Sequence, residues 1–229
     1  DFAYTNLMWY LPDVQVMRPE GGLQLSLTSS EATRQFHFRL RSAIDPRAML
    51  PLFDAEARRR FDLFEFGAPP VVQGEMWGRW LAPETVGFRG QLALTNFSLR
   101  GQQADALVTA LTYTNLTITV IGPKLWTGAQ YGAAEGVTVD LNAMRTYITN
   151  AAVQIAPSMV VRAIGPMVTR VMAPYHFGQP PVARVNGYIS MRDPKDANIV
   201  FEGTGRDFES LNFRATEYSA RVHWQNEFL

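Results

Sequence analysis

Phe66-Gly67-Ala68-Pro69-Pro70-Val71 returns as Phe177-Gly178-Gln179-Pro180-Pro181-Val182, a spacing of 111 residues. The same offset carries Ile44 to Ile155, Pro46 to Pro157, Arg59 to Arg170, Phe97 to Phe208 and Tyr113 to Trp224. Tyr4-Thr5-Asn6-Leu7 anticipates Tyr113-Thr114-Asn115-Leu116 with two residues of slippage. The 229 residues therefore read as two copies of one module, 1–112 and 113–229, joined in one continuous sheet and cut from a longer protein. A repeated module builds an extended surface, whereas a catalytic centre is usually a singular event.

Outward from the string, most of the chain alternates with the period of two that marks half-buried strands. Phe88, Gly90, Leu92 and Leu94 interleave with Arg89, Gln91, Ala93 and Thr95. Leu107, Thr109, Leu111 and Tyr113 follow, then Leu116, Ile118 and Val120 across a corner at Thr114-Asn115. A Gly/Ala-rich stretch from Gly128 to Gly136 reads as a loop before Val137, Val139 and Leu141 alternate again. Beyond the second string come Val185, Gly187, Ile189 and Met191, then Ile199 and Phe201, and finally Ala220, Val222 and Trp224. Asp193-Pro194-Lys195-Asp196 between them is turn chemistry.

Each copy breaks into helix at one place. Asp45 suits an N-cap with Pro46 at the first helical position, and Ala156-Pro157 stands there in the second copy. Val160, Ile164, Val168 and Val171 form one apolar stripe at helical spacing. Gly165-Pro166 predicts a kink or a split. The helices end before the repeated string, whose glycine suits a C-cap and whose prolines impose an extended chain. The fold class that follows is mainly β with α insertions: an extended antiparallel sheet with one helical segment per copy.

Composition narrows function mostly by exclusion. Twenty-one basic residues balance 21 acidic ones, so the basic excess of a nucleic-acid binder is missing. There is no cysteine, which removes disulfides, thiolate metal sites and a cysteine nucleophile together. His37, His176 and His223 lie far apart and lack metal-ligand spacing. No G-x-S-x-G elbow occurs, and Gly203-Thr204-Gly205 is followed by strand pattern where a dinucleotide loop needs a helix. Asp207-Phe208 recurs as Asn96-Phe97, which points to a structural demand met by Asp and Asn alike. No catalytic residue, metal or cofactor is expected, and the chain reads as a non-enzyme. What remains is a sheet face furnished repeatedly with Leu, Ile, Val, Phe and Met. That face either packs as an ordinary core or stays open for an apolar ligand.

The Tyr-Thr-Asn step, the strand Gly136-Val137-Thr138-Val139-Asp140, the proline-opened helix before Phe-Gly-x-Pro-Pro-Val, the step Gly205, Asp207, Phe208 and the fragment Ala220-Arg221-Val222-x-Trp224 together resemble the repeating part of AsmA-like proteins of Gram-negative-type bacteria. The likeness is a diffuse pattern over nearly the whole chain. It implies a long bent β-groove with a taco-like section, phospholipid acyl chains as ligand and a role in envelope biogenesis. It also implies periplasmic location, anchoring in the inner membrane through a region outside this chain, and other envelope proteins as partners. Leu92, Leu94, Leu111, Leu116, Ile118, Val139, Ile189, Met191, Ile199 and Val222 are the expected inward-facing apolar positions. The competing expectation is a tandem β-sandwich serving as a structural or interaction module.

Overall fold

The computed structural model describes residues 2–52, 54–193 and 195–225. The chain is mainly antiparallel β, and its strands join one 16-stranded sheet. In the first half lie β1 (Ala3–Thr5), β2 (Met8–Arg18), β3 (Gly21–Ser30) and β4 (Gln35–Ile44). A 3-10 turn (Pro46–Leu52) and α1 (Ala55–Phe61) lead to β5 (Phe64–Phe66), β6 (Val71–Arg79), β7 (Ala82–Leu99) and β8 (Gln102–Thr114). The chain continues through β9 (Thr117–Thr127), β10 (Gln130–Ala133), β11 (Gly136–Asp140) and β12 (Arg145–Gln154). Helices α2 (Pro157–Ile164) and α3 (Pro166–Met172) precede β13 (Tyr175–Phe177), β14 (Val182–Ser190), β15 (Ala197–Ser210) and β16 (Phe213–Gln225).

The sheet is a meander running β1-β2-β3-β4-β6-β7-β8-β9-β10-β12-β14-β15, with β16 outside β15. Three positions in this order are filled by two short strands laid end to end. These are β5 and β6 along β7, β10 and β11 between β9 and β12, and β13 and β14 along β15. The stretch 128–136, expected as a loop, thus holds a strand. Its small residues show no alternation, and pairing on both sides makes it β.

Both copies of the repeated string form the same joint. Phe66 faces Phe97 and Val71 faces Ala93, so five steps on one strand run against four on the other. Phe177 faces Phe208 and Val182 faces Thr204 in the same way. Opposite each joint a residue takes the left-handed conformation, Asn96 at φ 48° and Asp207 at φ 54°. Asn and Asp tolerate that region better than other L-residues, which explains why the two interchange here. The Gly67 N–H donates to the Asn96 carbonyl at 2.6 Å, and the Gly178 N–H to the Asp207 carbonyl at 2.8 Å. A Cβ on Gly67 would stand 2.5 Å from Asn96 Nδ2, and one on Gly178 would stand 2.7 Å from Asp207 Cβ. The glycine is therefore required by close approach to the opposite strand. It is not the expected helix C-cap, because β5 and β13 intervene between helix and string.

The helical segments depart from the expected stripe. Asp45 does cap its turn, accepting the Arg47 N–H at 2.9 Å on Oδ1, and α2 opens on Pro157. Val160 and Ile164, however, are exposed, and Val161 is the buried residue. Gly165, at φ 144°, ends α2 after two turns and resets the phase, so a periodicity counted across it does not describe one face. Thr169 Oγ1 ties the halves together by donating to the carbonyls of Val161 and Gly165. The side chain of Val171 lies outside the described residues.

Candidate functional site

Directly paired residues of antiparallel strands point to the same side, so the register can be followed across the sheet. One row runs Val14, Leu25, Leu40, Gly74, Gly90, Leu111, Val120, Val137, Ile148, Gly187, Ile199 and Trp224. The next row on that side runs Leu11, Leu27, Phe38, Met76, Phe88, Tyr113, Ile118, Val139, Thr146, Ile189 and Ala197. Among these side chains Thr146 alone is strongly polar. The opposite side gives Ser26, Arg39, Glu75, Arg89, Thr112, Thr119, Thr138, Tyr147, Tyr188, Asn198 and Gln225. Along these rows the sheet is two-sided, with an apolar face that crosses it almost from edge to edge.

Eight of the ten expected positions lie on this face: Leu92, Leu94, Leu111, Ile118, Val139, Ile189, Ile199 and Val222. Leu94 and Ile199 are the most enclosed, 6% and 4% exposed. Leu94 centres a small cluster with Phe97 and Ala104, against which Phe66, Leu92, Leu107 and Leu125 pack. Leu116 and Met191 lie at the rim. Leu116 sits in the β8–β9 turn at φ 58° and is 45% exposed, because the corner falls at Asn115-Leu116, one residue later than the sequence suggests. Met191 follows the last residue of β14, and its N–H donates to the Met144 carbonyl.

The face is only partly enclosed. The chain exposes 14651 Å², whereas a compact monomer of its mass exposes about 10,400 Å². Among the described residues nine apolar side chains are buried, and most of the face is half-buried. A closed core of this size would bury many more.

Opposite these rows the other side carries charge. Glu75 meets Arg39 at 3.3 Å, Arg89 at 3.1 Å and His37 at 3.6 Å. The hydrogen bond from Arg89, joined by the guanidinium charges of Arg39 and Arg89, holds its carboxyl below the usual glutamate range. Arg145 forks onto both Asp196 oxygens at 2.9 and 3.0 Å, and its guanidinium lies 4.8 Å from the Tyr188 ring centre. This ties the β14–β15 turn to β12.

At one end of the apolar face the rim opens into a cleft of about 600 Å³ lined by Trp9, Leu11, Leu27, Ser29, Glu31, Arg34, Trp80 and Leu81. Trp9 Nε1 and Tyr4 Oη donate to the two Glu31 oxygens at 2.8 and 2.9 Å. Trp80 Nε1 donates to Ser29 Oγ at 2.8 Å, and its ring packs on Phe36 with centroids 4.5 Å apart. Nothing local in the sequence announces this corner, since β2, β3, the β3–β4 turn and the β6–β7 turn each supply a piece. Trp126, by contrast, belongs to the polar side, where it pairs with Tyr131.

Among the described residues no group of three potential metal ligands comes together, and no helix is long and apolar enough to cross a membrane. No protein family, curated protein or solved structure matches this chain. Function therefore has to be argued from the face itself.

Proposed function

We propose that the chain binds phospholipid through the apolar face and serves as an AsmA-like, non-enzymatic scaffold segment that holds or conducts lipid in the envelope. The observation that carries this reading is the pair of continuous apolar rows spanning eleven and twelve strands, with the ion pairs of Glu75, Arg145 and Arg221 on the other side. An acyl chain gains about 0.8 kcal/mol for each CH₂ removed from water. A track without interrupting charges accepts that gain at every point along its length, so a chain can slide with little change in energy. No reacting group is needed, and lateral extension of the sheet lengthens the track. Such a role suits the periplasm, where lipid has to cross water between two membranes.

The test is lipid capture by purified protein, read by native mass spectrometry and by displacement of a fluorescent fatty acid. Ile118→Glu and Ile189→Glu, both on the apolar face, are expected to abolish capture. Gln91→Glu, exposed on the polar side, is expected to leave it intact. Equal loss in all three variants, or no capture by the unmodified chain at any lipid concentration, overturns the reading.

A further inference from the structure

The cleft lined by Trp9, Glu31, Arg34 and Trp80 continues the apolar face at one end of its strands. Trp9, Ser29, Phe36 and Gly78 form a row two residues beyond Leu11, Leu27, Phe38 and Met76, and so point to the same side. Trp80 folds over this row, its ring centroid 4.5 Å from that of Phe36 and 6.1 Å from that of Phe38. Its indole N–H covers the polar group there, Ser29 Oγ. Beyond it the β3–β4 turn carries Glu31 and Arg34. That turn is fixed by the Thr33 N–H on Ser30 Oγ at 3.2 Å and by the Trp80 N–H on the Arg34 carbonyl at 2.8 Å. Trp9 and Tyr4 aim the Glu31 carboxylate by donating to one oxygen each. The Arg34 side chain lines the cleft and has no hydrogen-bond or ion-pair partner among the described residues. An anchored anion and a free cation thus share one cleft without pairing.

The second half repeats this frame without its chemistry. Both places adjoin an Asn-Leu turn whose two residues are left-handed, Asn6-Leu7 and Asn115-Leu116. The Glu31 N–H donates to the Leu7 carbonyl at 2.8 Å, and the Leu141 N–H to that of Leu116 at 2.9 Å. The Trp80 N–H donates to the Arg34 carbonyl as the Met191 N–H donates to that of Met144, and Arg34 and Met144 are left-handed at φ 59° and 53°. Trp9 faces Ser29 where Ile118 faces Val139. One backbone therefore carries Trp9, Ser29, Glu31, Arg34 and Trp80 in the first half, and Ile118, Val139, Leu141, Met144 and Met191 in the second. Since the backbone accepts either set, folding does not demand the indoles or the charges.

We infer that the cleft seats the head group of an amine-bearing phospholipid of the phosphoethanolamine type, with its ammonium on Glu31, its phosphate on Arg34 and its acyl chains leading down the apolar face. A carboxylate offers about four lone-pair positions, and Trp9 and Tyr4 fill one on each oxygen, which leaves room for an ammonium donor. Indole rings beside that position attract the same cation. A free guanidinium matches phosphate oxygens. The volume of about 600 Å³ suits a small polar head, and Leu11 and Leu27 in its wall begin the row that receives the tails. A glycerol head group offers Glu31 no cation. The inference rests on the lipid reading above and adds selection of the head group at one end of the face.

The test offers the purified chain vesicles that hold equal amounts of phosphatidylethanolamine and phosphatidylglycerol with identical acyl chains, and measures the captured lipids by mass spectrometry. A severalfold excess of phosphatidylethanolamine is expected. Glu31→Leu, the residue that stands at this place in the second half, should return the ratio to that of the vesicle. Its capture of phosphatidylglycerol should be unchanged, which also shows that the variant is folded. Glu31→Gln should lose the preference as well, and Arg34→Met should lower phosphatidylethanolamine capture severalfold. Equal capture of the two lipids by the unmodified chain, or a preference that survives both Glu31→Leu and Arg34→Met, overturns the inference and leaves the acyl-chain reading standing. Capture of neither lipid overturns both. Glycerophosphoethanolamine, the head without tails, should compete only weakly; competition as strong as that of the lipid would make the cleft a site for a soluble ester and overturn its assignment to lipid.

Discussion

The two joints share a backbone but not a set of side chains. At the first, Leu94 faces Leu107, and both pack with Phe97, Phe66 and, from β9, Leu125. At the second the equivalent pair is Gly205 facing Tyr218, surrounded by Phe177 and Phe208 at ring distances of 6.1 and 5.2 Å from Tyr218. Two medium side chains have become none and one large one. The Tyr218 ring lies across Gly205 so closely that a Cβ there would stand 2.6 Å from its hydroxyl oxygen. The hydroxyl is buried without a hydrogen-bond partner, and burial raises its pKa above the usual tyrosine value. The difference follows from position. At the first joint β9, beyond β8, supplies Leu125, whereas at the second the broad ring of Tyr218 itself covers Gly205. Phe97 is accordingly 5% exposed while its counterpart Phe208 is half-buried.

That contrast is most directly broken by removing the two phenylalanines. Phe97→Ala is expected to cost about 3–5 kcal/mol, the usual loss for a buried aromatic ring. Phe208→Ala is expected to cost clearly less, because its site is already partly open to water. Urea denaturation of both variants measures the gap. Equal losses would mean that the edge joint is as tightly packed as the inner one. The glycines come next. Gly67→Ala forces a methyl group into Asn96, and Gly178→Ala forces one into Asp207. Strain of this kind typically costs about 1–3 kcal/mol. The larger loss belongs to Gly67, whose virtual Cβ meets both the Asn96 amide and its backbone carbonyl, the latter at 2.6 Å.

How much of this was legible depended on whether the cause was local. The alternation of Leu92, Leu94, Leu111, Ile118, Val139, Ile189, Ile199 and Val222 placed each on one side of its own strand, and antiparallel pairing then put all of them on one face. The 111-residue offset likewise named both joints. The role of Gly67 was not legible as anything but a cap, because its constraint is the distance to Asn96, a residue 29 positions later. Strand β10 was hidden for a related reason, since Gly132, Ala133 and Ala134 carry no periodicity. The stripe on α2 and α3 misled because period counting assumes an unbroken helix, and Gly165 breaks it. The cleft of Trp9, Trp80 and Glu31 needs four elements to meet, and no window of sequence spans them.

The covariation between the joints supplies a sharper test than either deletion. Gly205→Leu alone drives a side chain into Tyr218 and is expected to destabilise by about 1–3 kcal/mol. Tyr218→Leu alone removes the cover from Gly205. The double variant rebuilds the Leu94–Leu107 pair of the first joint and should recover most of the loss, with a coupling of about 0.5–3 kcal/mol as found for residues in contact. Additive losses would show that the two positions do not compensate each other and that the resemblance of the joints stops at the backbone.

The smallest effect separates the two Asn-Leu turns. Glu31 and Leu141 hold equivalent places beside them, each donating its backbone N–H across the turn. Only Glu31 has a carboxylate, and the hydrogen bonds from Trp9 and Tyr4 lower its pKa from 4.5. A depressed carboxyl stabilises the fold above its unfolded pKa and loses that contribution as the pH falls through the folded value. Tyr4 is shifted the other way, raised from 10.0 chiefly by its hydrogen bond to Glu31, so its contribution is present below that pH and lost as the pH rises through the folded value. Strand β1 should therefore be held between these limits and loosen on either side. The β8 end beside Leu141 should show no such window. Amide exchange at Thr5 and Thr114, followed from pH 3 upward with the intrinsic exchange rate divided out, reads both strand ends in one experiment. Glu31→Gln should flatten the acid limb at Thr5 and leave Thr114 unchanged. An acid limb that survives this substitution would place the titrating group elsewhere and remove the chemical distinction between the two turns.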